Sequence, residues 1–198
     1  GSPHVLVLPP PSLWFSPHHR SWPGTITLSL ETFVGLVTDV AESLHRTGFR
    51  RLLIVNGHGG NQGPLNSACT ALASRGLEVG YVNYFAPGQK QWMEVLPGAL
   101  RGVGHACAFE TALQLALRPP ALAARIAARA GGLPPRLAPS YVAGNAPDVM
   151  RPAGAYWAAI FAPGDAGYVG DPAAATREAG EAMIEAKGIK PRALPPQR

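Results

Sequence analysis

Acidic side chains are scarce here, and none precedes Glu31, so the opening stretch has no carboxylate to offer as ligand or base. Cysteine is nearly as rare. Cys69 and Cys107 show neither disulfide-framework nor zinc-finger spacing, which points to two reduced thiols in a cytoplasmic protein. No apolar run approaches the about 20 residues that a bilayer span requires, so no membrane partner is expected. Val5–Pro11 is apolar but lacks the charged flank of a signal peptide. The net charge is +5, yet the arginines are scattered rather than clustered with aromatics, which argues against a nucleic-acid partner.

What remains is ample for one core. With 198 residues and 46% hydrophobic content, the chain is expected to form a single domain over 1–198, with 188–198 as a mobile basic tail. Glycine and proline (23 and 21) concentrate between Gly131 and Pro172 and at both ends. Tyr141, Tyr156, Trp157, Phe161 and Tyr168 are interspersed there, so long ordered loops are expected rather than disorder.

Periodicity supplies the elements. Val5–Leu8 reads as a short strand halted by prolines. Leu30, Phe33, Val34, Val37, Val40, Ala41 and Leu44 follow three-and-four spacing, predicting a helix capped by Ser29 and closed by Gly48. Leu52–Val55 predicts a buried strand, Gln62–Ser74 a helix stopped by Gly76, and Val79–Tyr84 another strand. Shorter helices are expected at Gln89–Leu96, His105–Leu117 and Ala121–Ala130, and a last one over Ala173–Lys187. Strand–helix–strand order with short links implies a parallel sheet in an α/β fold.

The chemistry centres on Leu52–Asn61, an aliphatic strand running into Asn-Gly-His-Gly-Gly-Asn. The turn would set the His58 imidazole at the carboxyl end of a strand, where open α/β sheets keep their sites. Gly57, Gly59 and Gly60 permit positive φ or close approach of a ligand, and Asn56 and Asn61 bracket the turn with polar groups. A merely solvated histidine on a tight turn is the competing account. A nucleotide-binding turn fits poorly, for the P-loop lysine and the dinucleotide glycine spacing are both missing.

Three further stretches carry candidate groups. His105 and Glu110 stand five apart, about 140° around an ideal helix, so they converge only if His105 precedes the helix, in the loop of Gly102 and Gly104. Adjacent His18 and His19 are expected to diverge, leaving one of them a substrate-facing or supporting role. Trp22-Pro23-Gly24 reads as a rigid turn with an aromatic wall. Asp171-Pro172 reads as the cap and first residue of the last helix. Trp14, Trp22 and Trp92 either wall a pocket or pack the fold, and packing is the commoner use.

In order, these stretches resemble the creatininase (creatinine amidohydrolase) family. The family pattern has a His shortly before Phe/Trp-Pro-Gly-Thr, an aliphatic strand ending Asn-Gly-His-Gly-Gly-Asn, a His-Ala-Gly-Glu-x-Glu-Thr-Ser segment and a late Gly-Asp-Pro. Here they match His19 with Trp22–Thr25, Leu52–Asn61, His105–Ala112 and Gly170–Pro172. The resemblance implies a three-layer α/β/α domain with a mainly parallel sheet. It also implies a homo-oligomer that hydrolyses an amide or cyclic-amide C–N bond of a small molecule with divalent metal (Zn, Mn or Fe). By the same match His58 is a metal ligand, Glu110 a carboxylate ligand or base, and His105 the proton shuttle. His19, Asn56, Gly57, Gly59 and Asn61 would then contact substrate.

Departures accompany the match. The family's opening Glu-x-His-Gly-Pro-His-Leu-Pro…Asp segment has no counterpart, and Cys107 and Ala108 replace the Gly and Glu that follow the His. Two protein ligands fall short of the usual three to four or so per metal. The chain therefore reads as N-terminally incomplete relative to the family, with its metal site incomplete or absent. A trimmed fragment, a form lacking its metals and a member that has lost hydrolysis all fit. The leading expectation is a metal-dependent amidohydrolase; the alternative is a metal-deficient pseudoenzyme serving as a binding or assembly subunit.

Overall fold

The computed structural model describes residues 5–98, 102–136 and 163–188. It divides into two compact units, Gly1–Tyr84 and Phe85–Arg198.

The first unit is built on helix α1 (Leu30–Arg46), strand β1 (Arg51–Asn56), helix α2 (Gln62–Ser74) and strand β2 (Glu78–Asn83). Ser29 caps α1 as the sequence predicts, its hydroxyl accepting from the Thr32 amide at 3.1 Å. Gly48 follows the helix with φ +99°, a left-handed conformation that costs glycine little. Leu65, Ala68, Cys69 and Leu72 make one buried face of α2, which packs on α1 and β2. The strands pair in parallel, Arg51 opposite Glu78 through Asn56 opposite Asn83, which makes β1–α2–β2 the expected crossover unit.

Two expectations change in this unit. Val5–Leu8 forms no strand and is exposed; three successive prolines at 9–11 remove the amide donors that would extend a ladder. Strand β1 is not buried throughout either. Its burial alternates, leaving Leu53 and Val55 at 65% and 67% exposure, because the strand turns one face to the helices and the other away.

The second unit contains helices α3 (Gln89–Glu94), α4 (Ala108–Leu117), α5 (Pro120–Ala130) and α6 (Arg177–Ala186). Trp92 is fully buried, its indole N–H donating to the Phe85 carbonyl at 2.7 Å and its ring 4.4 Å from that of Phe109. Trp92 is therefore a packing residue. The Lys187 ammonium covers both rings at 5.4 and 5.2 Å.

The helix limits differ in instructive places. His105 lies outside α4, in an antiparallel bridge with Val169 (2.9 and 2.8 Å), and Ala106 turns the chain into the helix at φ +46°. Asp171 does not cap the last helix. Pro172–Ala174 forms a short 3-10 turn, and the true cap is Thr176, whose hydroxyl accepts from the Ala179 amide at 3.1 Å. Tyr168, expected in an ordered loop, is buried with its hydroxyl donating to the Pro134 carbonyl at 2.6 Å. Tyr141, Tyr156, Trp157, Phe161 and the 189–198 tail lie outside the described residues.

Helices α4 and α6 meet backbone to backbone at Gly180 and Ala112. A Cβ on Gly180 would stand 2.1 Å from the Ala112 carbonyl oxygen. Because backbone rather than a flexible side-chain end occupies that space, the helices must separate to admit a methyl. Gly180→Ala is expected to destabilise the protein by about 2 kcal/mol or more despite the better helix propensity of alanine. Urea denaturation checks this, and an unchanged or raised midpoint would refute the close crossing.

Candidate metal centre

The turn after β1 is braced by two buried carboxamides. Asn56 donates from Nδ2 to the His58 carbonyl and to Asn83 Oδ1, both at 2.8 Å. Its Oδ1 accepts from the His58 amide and from Asn61 Nδ2, both at 3.2 Å. The Asn61 oxygen in turn accepts from the Phe15 amide at 3.1 Å, fastening the Trp14–Thr27 loop to the turn. These hydrogen bonds of Asn56 and Asn61 all run within the protein.

That fastening delivers two more imidazoles. Ser16 is buried and its amide donates to Thr27 Oγ1 at 2.7 Å, after which Pro17–His19 makes one turn of 3-10 helix. Trp22–Thr25 then forms the expected rigid turn, closed by the Thr25 amide on the Trp22 carbonyl at 3.2 Å with Gly24 at φ +84°. The His18 ring stacks on His58 with centroids 5.3 Å apart and planes at 12°; His19 lies 4.2 Å from His18 and 5.6 Å from His58. One ligand atom from each of the three falls within 4.8 Å of the others. Side chains 18 and 19 therefore converge, against the expectation from their adjacency. The stack on His58 draws His18 inward, and a hydrogen bond between Ser16 Oγ and His19 Nδ1 holds the second ring.

Glycine serves this site through space rather than dihedral angle. Gly57, Gly59 and Gly60 are not among the positive-φ residues. A Cβ on Gly60, however, would lie 2.5 Å from His58 Nε2 and 2.6 Å from His18 Cε1. The missing side chain is what admits both rings. His58 Nε2 is buried and has no hydrogen-bond partner among the described residues, as suits a nitrogen lone pair kept for a ligand.

All three imidazoles are held neutral. Burial, then the neighbouring His19 and His58, lowers the His18 pKa to about 4. Burial and then His19 lower His58 to about 4, and burial lowers His19. Neutral rings are the form that binds metal. Trp14 lies 6.4 Å from His58 with 44% of its surface exposed, so it borders the centre.

In the second unit, Glu110 occupies the first turn of α4 and His105 precedes that helix, which meets the condition set for their convergence. Cys107 between them is fully buried. Burial, then the Glu110 charge, pushes its thiol up to about 11, which keeps it protonated at neutral pH. Among the described residues no helix is long and apolar enough to cross a membrane.

A family model for creatinine amidohydrolase matches residues 2–188. The chain belongs to the creatininase family. The mycofactocin precursor peptide peptidase of Mycobacterium tuberculosis is 30% identical over 183 residues, which cover 91% of this chain and 61% of that protein. A solved Mn creatininase is 28% identical with a TM-score of 0.54, covering 84% of this chain and 63% of the other. A creatininase variant complexed with creatine is 26% identical with a TM-score of 0.56, covering 88% and 69%. The chain thus has the creatininase α/β fold, the three-layer class expected, while spanning 61% of the length of the mycobacterial peptidase and 63% of the Mn creatininase.

Two outcomes follow from the cluster. With His18 and His58 lowered from 6.5 to about 4, protons in that interval bind the unfolded chain and not the folded one. In metal-free protein the stability they permit is whole above pH 6.5, erodes below it, and levels off near pH 4. Urea midpoints between pH 7 and 4 should fall less steeply in His58→Asn, and parallel profiles would count against the burial of that ring. Separately, Gly60→Ala should lower Zn²⁺ affinity at least about tenfold with unchanged circular dichroism, although no donor is altered.

Proposed function

We propose that this chain carries the metal-binding turn of a creatininase-type amidohydrolase that cleaves an amide or cyclic-amide C–N bond in a small molecule. The observation that carries the reading is His58, whose buried Nε2 faces two further neutral imidazoles within the family's glycine turn. The residues present fit a divalent cation: the donors are neutral, and the Gly60 cradle leaves them room. The manganese and Zn–Zn forms of solved creatininases, and the creatine complex of another, support metal and small-molecule substrate as the classes to test.

A bound divalent ion would acidify a water and polarise the scissile carbonyl. The chain's own groups do the rest. His58 would hold the ion through its imidazole. By the family match Glu110 would serve as carboxylate ligand or general base, and His105 would carry the proton to the leaving nitrogen. Substrate would lie against the backbone of Gly57 and Gly59, where no Cβ intervenes, and beside the His19 ring at the ion. Asn56 and Asn61 act through the turn they brace. The reading treats 1–198 as parts of one domain in a cytoplasmic homo-oligomer.

Metal analysis and amide-hydrolysis assays of His58→Ala and Glu110→Gln test it. His58→Ala should lose bound metal and turnover while its melting temperature stays within a few degrees. Glu110→Gln should lower kcat by at least about a hundredfold. Retained metal in His58→Ala would overturn the assignment, and metal binding without turnover of any amide would favour a binding or assembly subunit.

A further inference from the structure

The described residues bring one group of candidate metal-binding side chains together around His58. Its three clustered members, His18, His19 and His58, are all imidazoles, with ligand atoms within 4.8 Å of one another. We propose that they form a single three-imidazole centre that binds Zn²⁺ in preference to Mn²⁺ or Mg²⁺, with His18 as a donor and Ser16 as the positioning residue for His19. This rests on the reading of the turn as a metal centre and goes beyond it by assigning the donors and the ion class.

Distance and chemistry agree on this. Zinc holds imidazole nitrogens at about 2.0–2.1 Å, which sets tetrahedral donors roughly 3.4 Å apart. The three rings need to close by little more than an ångström, within reach of side-chain rotation. His18 already lies nearly parallel to His58, at 12°. Imidazole is a borderline ligand that suits zinc, whereas manganese and magnesium favour carboxylate and water oxygen. Zinc also stands above manganese in intrinsic affinity for nitrogen sites. Three neutral donors leave a fourth position open, to water or to the carboxylate proposed above, and do not themselves cancel the ion's charge, which favours acidification of a bound water.

Ser16 supplies the outer support that metal-binding histidines use. With one ring nitrogen of His19 engaged by a hydroxyl, the other ring nitrogen is the one presented to the ion. Ser16 is 1% exposed, so its hydroxyl cannot turn to solvent instead. The Ser16 amide bond to Thr27 Oγ1 fixes the backbone from which it reaches.

Calorimetric titration of the metal-free full chain with ZnCl₂ and with MnCl₂ decides the matter, alongside visible absorption of the Co²⁺-loaded protein. Expected are one Zn²⁺ per chain, Mn²⁺ at least about a hundredfold weaker, and intense four-coordinate Co²⁺ bands. His18→Asn should weaken Zn²⁺ at least about tenfold and dim the Co²⁺ bands, and Ser16→Ala should weaken it about tenfold with Ser16→Thr restoring it. Should His18→Asn fail to fold, the Co²⁺ spectrum of the unaltered chain decides, since weak six-coordinate bands overturn the three-imidazole centre. Unchanged Zn²⁺ affinity in His18→Asn with loss in His58→Ala overturns it too, as does equal affinity for Mn²⁺, while leaving the metal reading intact. No Zn²⁺ or Mn²⁺ binding by the unaltered chain overturns both.

Discussion

The candidate centre depends on one carboxamide. Asn56 ends β1, is buried, and directs its amide to the His58 carbonyl and to Asn83 across the sheet. Without it the turn would have no fixed relation to the strand that presents it. Asn61 then carries the same rigidity outward, since its oxygen takes the Phe15 amide and with it the loop bearing His18 and His19. Buried polar networks of this sort are costly when incomplete and rigid when satisfied, which is what a metal-binding cluster requires of its surroundings.

Much of this was legible in the sequence because it is local. The spacing of apolar residues in α1 and α2, the Ser29 cap and the Trp22–Thr25 turn depend on neighbours a few positions away, and each stands where expected. The family itself was legible through the glycine turn. The Asp171 cap failed although propensity favours aspartate over threonine: Pro172–Ala174 makes only a 3-10 turn, and the helix starts after Thr176, five residues on.

The convergence of His18 with His19 was illegible for a physical reason. Adjacent side chains do diverge on a regular backbone, and what reverses this is tertiary. A ring stack with His58, 40 positions away, draws in one side chain, and a buried serine holds the other. The only local hint is Ser16 three residues before His19, and a Ser-x-x-His spacing is too common to carry weight. The service of Gly60 was half legible: glycine marked a crowded place, but only coordinates distinguish crowding from a positive φ.

The side-chain bond between Asn56 and Asn83 joins residues that also face one another in the strand ladder. A slip of one residue would send Asn56 to the opposite face and strand its partner, so this polar clasp acts as a key for strand alignment. The cluster beyond it can mature only after the two strands have met in the right frame. Anything that binds there draws on the same equilibrium as sheet assembly, so occupancy and folding of the first unit are thermodynamically linked.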